Sequence, residues 1–366
     1  MGSTRYDLDQ DGDIELILRN PNVPFAEWHE DSPDEWSFWE PLAGGKQMAK
    51  KSKGFARLFK SLDPGYEPEG LPLAANNAKD VPASESNDIT TTDDGVEIHM
   101  RLSSKHLILA STYFQKMLQG PWEESKTRTL EAFDWDADAM LILMNIIHGR
   151  IRRVSRSISL EMLAKIASLV DYYDCHEIVE LYADCWISNL KHNLPKEYSR
   201  DLVLWLSISC VFSQGSLFQT LTKVVMKEAR GPLPTLNLPI PQHIVDALDQ
   251  RRQKSLDGII SGLHDLLSYF DSRTSCSFEC SSILLGALTR QMQRRGFLNP
   301  KPTRPYLGYS VAETTKALCS FKSPEWASRR GRFSDKHRCS LDNFMDATVK
   351  SIGDDVEGLK LEEKAF

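Results

Sequence analysis

Apolar and polar residues alternate in two short stretches of the chain. Ile14, Leu16 and Leu18 flank Glu15 and Ile17, which predicts a strand over about 13–19. From Gly95 onward, Val96, Ile98, Met100 and Leu102 alternate with Glu97, His99 and Arg101, which predicts another. The period then lengthens to that of a helix. In SSKHLILASTYFQKMLQG, Leu107, Leu109 or Ala110, Phe114, Met117 and Leu118 share one helical face, and Gly120-Pro121 ends the run. A short extended piece over 127–133 follows. A helix over 137–148 then presents Met140, Ile142, Leu143, Ile146 and Ile147 on one side and stops at Gly149. Ser159 is placed to cap a helix whose core side carries Leu160, Leu163, Ile166, Ala167, Val170 and Tyr173, and a further helix is expected over 176–190.

Beyond about Glu197 strand alternation nearly vanishes. The run 202–222 carries no charge, but Ser207, Ser209, Ser213, Gln214, Gly215, Ser216 and Gln219 interrupt it. Their cost in hydrocarbon favours two buried helices with a turn over a membrane span. Helical spacing of Ile244, Val245, Leu248, Leu256, Ile259, Ile260, Leu263, Leu266, Leu267 and Phe270 predicts a long amphipathic helix over 241–270. Shorter helices are expected over 281–295, 311–321 and 341–356.

Between the two strand signals the sequence changes character. From 21 to 92 it carries Pro24, Pro33, Pro41, Pro64, Pro68, Pro72 and Pro82, with a Ser/Thr/Asn/Asp-rich end, and reads as a long, largely disordered insertion. Within it Met48, Phe55, Leu58, Phe59 and Leu62 mix with Lys46, Lys50, Lys51, Lys53, Arg57 and Lys60. This basic amphipathic patch suits an anionic surface, an acidic partner or an import receptor, against the plainer reading of a solvated basic stretch. Gly44-Gly45-Lys46 resembles the end of a phosphate loop, but Gln47 stands where a Ser or Thr is needed to hold magnesium, so no nucleotide site follows.

With 366 residues the chain is long for one core, and two domains plus linkers are expected. A net charge of -7 opposes a general nucleic-acid coat. Locally, 290–338 holds twelve Lys or Arg against Glu313, Glu325 and Asp335, with Arg329, Arg330, Arg332, Lys336 and Arg338 tightly clustered. A solvated surface accounts for this better than phosphate contact, since no base-reading motif accompanies it; direct nucleic-acid binding is not expected. Seven scattered cysteines do not form a disulfide framework, and the first residues lack the basic start and apolar stretch of a signal peptide. A cytoplasmic or nuclear location is expected.

There is no HExxH, GxSxG, phosphate loop or dinucleotide fingerprint, so no enzyme, no catalytic residue and no cofactor is expected. His106 and His148 read as structural histidines, and Asp134 and Asp136 as turn and helix-start residues. Cys276 and Cys280 are candidates to join His337 and Cys339 around zinc. Their Cys-x3-Cys spacing lacks a second tight pair, and Phe278 suggests packing, so buried thiols are preferred and no metal is assigned. Cys175, Cys185, Cys210 and Cys319 sit in apolar helical contexts and read as core.

The stretches VEIHMRLSSKHLILASTYFQKML, WEESKTRTLEAFDWDADAMLILMNIIHGR and LEMLAKIASLVDYYDCHEIVELYADCWISNL resemble the successive parts of a BTB/POZ domain. They are most similar to filamentous-fungal BTB proteins, in which stretches like NIIHGR and LVDYYDC recur. The resemblance implies an α+β BTB/POZ-like domain, a small sheet with helical hairpins, over 93–192. DIELIL, within an N-terminal segment 1–20, looks like its first strand, and an all-α C-terminal domain over 196–360 follows. No Kelch repeats, MATH domain or zinc fingers accompany it.

Such domains recognise other proteins, so a non-catalytic interaction module with protein partners is the expectation. Many pair or exchange their first strand, which makes Ile14, Leu16 and Leu18 candidates for a homodimer contact, against the alternative that they are core. In BTB adaptors of cullin ubiquitin ligases a hydrophobic residue, any residue and Glu occupy the loop after the first helical pair. Trp122-Glu123-Glu124 is similar, so Trp122 and Glu124 are candidate contacts for a cullin scaffold, against a locally packed Trp. A nuclear transcription- or chromatin-associated role is the remaining alternative.

Overall fold

Alternating burial organises a four-stranded sheet in the computed structural model, which describes residues 4–28, 96–273, 276–326, 339–345 and 357–361. Its strands are β1 (Thr4–Asp7), β2 (Ile14–Arg19), β3 (Glu97–Leu102) and β4 (Thr129–Phe133), in the spatial order β1-β3-β2-β4. β2 runs antiparallel to β3 and parallel to β4, with Leu16 beside Met100 on one flank and Leu130 on the other. The sequence pattern anticipates β2 and β3. It misses β1, which pairs parallel with β3 from Thr4 opposite Ile98 to Asp7 opposite Arg101. DIELIL is therefore the second strand in chain order. Gly12 lets the connection between β1 and β2 cross the Leu102 carbonyl, which a Cβ would meet at 2.6 Å.

One face of the sheet is apolar and the other charged. Ile14, Leu16, Leu18, Ile98, Met100, Leu102, Leu130 and Ala132 are buried together. On the opposite face Arg19 bonds Glu97 on β3 and lies 3.2 Å from Glu131 on β4, joining three strands. Each buried aliphatic side chain contributes about 1.5–3 kcal/mol, whereas exposed ion pairs contribute about 1 kcal/mol or less, so the apolar face sets the register.

The run expected as one helix over 104–119 is two, α1 (Ser104–Ala110) and α2 (Thr112–Gln119). Ser111 breaks it with an extended backbone, and its hydroxyl accepts from the Phe114 amide at 3.1 Å while donating to the Tyr173 carbonyl. Leu109 faces outward on α1, 89% exposed. After Gly120 come α3 (Glu123–Thr127), β4, and α4 (Ala137–Ile147), whose Asp136 cap accepts from the Ala139 amide at 2.9 Å. Gly149 follows at φ +65°, as a left-handed stop requires. Ser159 caps α5 (Leu160–Tyr173), and α6 (His176–Leu190) follows with the expected bounds.

The charge-free run forms α7 (Arg200–Val211) and α8 (Gly215–Glu228), broken at Ser213, which has φ +51°. From Leu202 to Val211 every residue of α7 is buried, because neighbours surround it. Among the described residues no helix is long and apolar enough to cross a membrane. α9 (Gln242–Ser272) has 31 residues and spans about 46 Å at the α-helical rise. Its first half joins the core that begins at the sheet, through Ile244, Val245 and Leu248. Its second half, from Leu256 to Phe270, joins another core with α10 (Phe278–Arg294), α11 (Val311–Cys319) and α12 (Leu341–Met345).

Residues 21–28, expected to lack fixed structure, are held in place. Phe25 and Trp28 pack on the first core, and the Arg200 guanidinium donates to the Ala26 and Phe25 carbonyls at 2.8 and 2.9 Å. The rest of the expected insertion, with its basic patch at 46–60, lies outside the described residues, as does 346–356 of the last expected helix.

Candidate interaction surface

β1 ends the sheet. All four of its residues are exposed, and among the described residues no strand lies beyond it. A strand with one flank open offers amides and carbonyls to another chain. Tyr6, opposite buried Met100, stays 36% exposed. Arg5 lies 3.4 Å from Asp7 and 3.6 Å from Glu15. At the other end of the sheet, β4 exposes Phe133.

A second apolar feature lies on α6. Ile178, Leu181 and Cys185 follow at spacings of three and four, so they form one stripe, and Leu181 is 83% exposed. The opposite side of the helix is packed: Trp186 is buried and donates its indole N–H to the Ser155 carbonyl at 2.9 Å. Sequence periodicity misses this stripe because α6 carries apolar residues on both sides.

The predicted contact residues divide in two. Ile14, Leu16 and Leu18 are fully buried on an interior strand paired along both flanks, so they are core, not contact surface. Trp122 and Glu124 are half-buried at the start of α3. The Trp122 ring lies over Gly120, where a Cβ would approach its Cδ1 to 2.8 Å, and the Trp122 carbonyl accepts from the Ser125 hydroxyl at 2.7 Å.

A family model for the BTB/POZ domain matches residues 90–190. The chain contains a BTB/POZ domain. It is a protein-interaction domain of α+β class, continued by an all-helical region. The BTB match begins after residues 4–19, which nonetheless supply two of the four strands of its sheet. No curated protein matches the chain.

LVDYYDC and NIIHGR, the stretches behind the expected likeness to filamentous-fungal BTB proteins, are structural. In LVDYYDC, Tyr173 stacks on Phe114 with ring centroids 4.8 Å apart, and Asp174 ends α5 in the left-handed region at φ +48° while accepting from the Thr112 hydroxyl. In NIIHGR, the Ser103 amide donates to His148 Nε2 at 2.9 Å, and Nδ1 lies 2.8 Å from the Met144 carbonyl. The carbonyl can only accept and the amide only donate, so the ring is neutral with its proton on Nδ1. Burial pushes its pKa below the ordinary histidine value, Met144 and Asp9 oppose that, and His106 and Arg150 add to it.

Of the thiols read as core, Cys175 and Cys210 are buried, but Cys185 and Cys319 lie on outer helix faces. Cys276, Cys280 and Cys339 come together with their sulfurs all within 4.8 Å of one another. Burial, with Cys276 and Cys339 beside it, pushes the Cys280 thiol up to about 12. Phe278, expected to pack, is 75% exposed. His337 and the tight cationic cluster from Arg329 to Arg338 lie outside the described residues. Of the described cations in the basic stretch, Arg295 donates to the Ser320 hydroxyl and Arg304 to Asp257.

Proposed function

We propose that this chain is a non-catalytic protein–protein interaction module whose BTB domain pairs with a second copy of itself through the open edge of β1. The observation that carries this is the sequence Thr-Arg-Tyr-Asp on an edge strand whose four residues are all exposed. Antiparallel pairing of two β1 strands about a twofold axis at Tyr6 sets Arg5 of each copy opposite Asp7 of the other. The strand is thus complementary to itself, as a twofold interface requires.

Light scattering coupled to size-exclusion chromatography of the full chain tests this over a range of concentrations. The expected result is a dimer that Arg5→Glu weakens and that Arg5→Glu combined with Asp7→Arg restores. A monomer throughout, or a dimer indifferent to Arg5→Glu, overturns the reading.

The cullin-adaptor reading has one observation in its favour. Half-exposed Trp122 stands next to Glu123 and Glu124, whose carboxylates open α3. A pull-down with the host cullin decides it: capture that Trp122→Ala abolishes supports recruitment, and no capture by either chain rejects it. Among the described residues nothing favours a chromatin role.

A further inference from the structure

The three sulfurs brought together at the start of α10 come from distant parts of the chain. Cys276 precedes the helix, Cys280 lies in its first turn, and Cys339 arrives 63 residues later. Local structure aims the first two. Ser277 caps α10 by accepting from the Cys280 amide at 3.2 Å, which turns the chain so that residues 276 and 280 face the same point. The third is aimed by the docking of α12: the Leu341 amide donates to the Ser323 hydroxyl at 2.9 Å, and Leu341 and Met345 are buried in the same core as Cys280.

The spacing fits a metal. Zinc binds thiolate sulfur at about 2.3 Å, so sulfurs at the corners of a tetrahedral site lie about 3.8 Å apart. Cys276 Sγ and Cys339 Sγ are 3.9 Å apart, and the third sulfur lies within 4.8 Å of both. A disulfide between any two would need about 2.05 Å and would leave the third thiol over. Three soft anionic donors select zinc over harder cations, and the N-terminus of the 17-residue α10 favours the negative charge they carry.

There is also a structural need. Residues 339–345 hold one short helix, α12, with two buried apolar side chains, Leu341 and Met345, which is little surface to hold a segment in place. We infer that Cys276, Cys280 and Cys339 bind one zinc ion, which fastens residues 339–345 to the start of α10. Among the described residues these three thiols are the whole ligand set, and Cys276 is exposed. The ion closes a loop of more than sixty residues in the way a cross-link does.

The test is the metal content of the full chain, expressed with zinc supplied and purified under reducing conditions without chelator. One zinc per chain is expected. Cys276→Ser and Cys339→Ser each lose it while keeping the circular dichroism of the fold, and Cys185→Ser and Cys319→Ser retain it. Cobalt added to the reduced, metal-stripped chain is expected to give the thiolate charge-transfer and tetrahedral ligand-field bands. A zinc-free protein that also gives no such bands overturns the inference. So does zinc retained equally by all four variants, or a Cys276–Cys339 disulfide found by mass spectrometry in the reduced preparation.

Discussion

The carboxylate of Asp13 caps a helix that begins ninety-one residues later: its two oxygens accept from the Ser104 amide and the Ser104 hydroxyl, each at 2.8 Å. Ser103, the residue at the cap position of α1, makes no side-chain cap bond, so the turn before β2 supplies what the local sequence does not. Burial raises the Asp13 pKa, but the Ser104 bonds and Arg128 outweigh it and hold the group below its usual value. A carboxyl depressed in the fold stabilises above its unfolded pKa and stops doing so as pH falls through the folded value. Asp13→Ala is therefore expected to cost about 1–2 kcal/mol at neutral pH, by urea unfolding, and progressively less as pH falls through the folded value.

His148 gives a second pH dependence, nearer neutrality. Its neutral ring accepts from Ser103 at Nε2, and protonation there removes the acceptor. Because the folded pKa lies below the ordinary 6.5, the unfolded chain takes up the proton first, so stability is full above about 6.5 and falls as pH drops toward the folded value. Denaturant midpoints at pH 7.5 and 5.5 should fall further apart in the wild type than in His148→Gln, whose amide does not titrate.

Among the described residues Arg252 is the one cation in the set of fully buried large side chains. Its guanidinium donates to Asp249 and to the carbonyls of Pro305, Tyr306 and Tyr309 at 2.7–3.1 Å, binding the loop before α11 to the middle of α9. Arg252→Ala leaves half-buried Asp249 with Gln253 as its remaining donor, takes a donor from three carbonyls and should cost about 1–3 kcal/mol. Arg252→Lys should recover little of this, since an ammonium has no planar fork to reach several acceptors. Equilibrium unfolding of both variants measures the difference.

Gly358 lies flat against α8, where an added Cβ would overlap the Gln219 carbonyl, and the next residue, Leu359, is buried and donates its amide to the Thr222 hydroxyl at 2.9 Å. Gly358→Ala should lift residues 357–361 off the helix, lower stability by about 1–3 kcal/mol and expose the C-terminal segment to limited proteolysis. Unchanged cleavage and an unchanged melting temperature would count against this packing.

Periodicity was sufficient wherever one face of an element is buried and the other wet. β2, β3, α4 and α5 were readable for that reason, and so was the break at Ser213, where Ser-Gln-Gly interrupts an apolar run. The pattern failed where burial comes from partners far along the chain. The four residues of β1 carry no alternation of their own and are a strand only because β3 lies beside them. Ser111 reads as a tolerable helix residue until the Tyr173 carbonyl, sixty-two residues away, claims its hydroxyl.

The candidate sites divide along the same line. Residue identity along the chain determined that an acidic-aromatic corner stood at Trp122–Glu124 and that thiols flanked the start of a helix at Cys276 and Cys280. Only the tertiary structure decided that Ile14, Leu16 and Leu18 face inward between two neighbouring strands, that Leu109, Ile178 and Leu181 face outward, and that Cys339 meets the other two sulfurs. The physical reason is that periodicity states which face of an element is apolar. Whether that face is covered, and which distant atom lies 3–4 Å from a given side chain, depends on how the elements close upon one another.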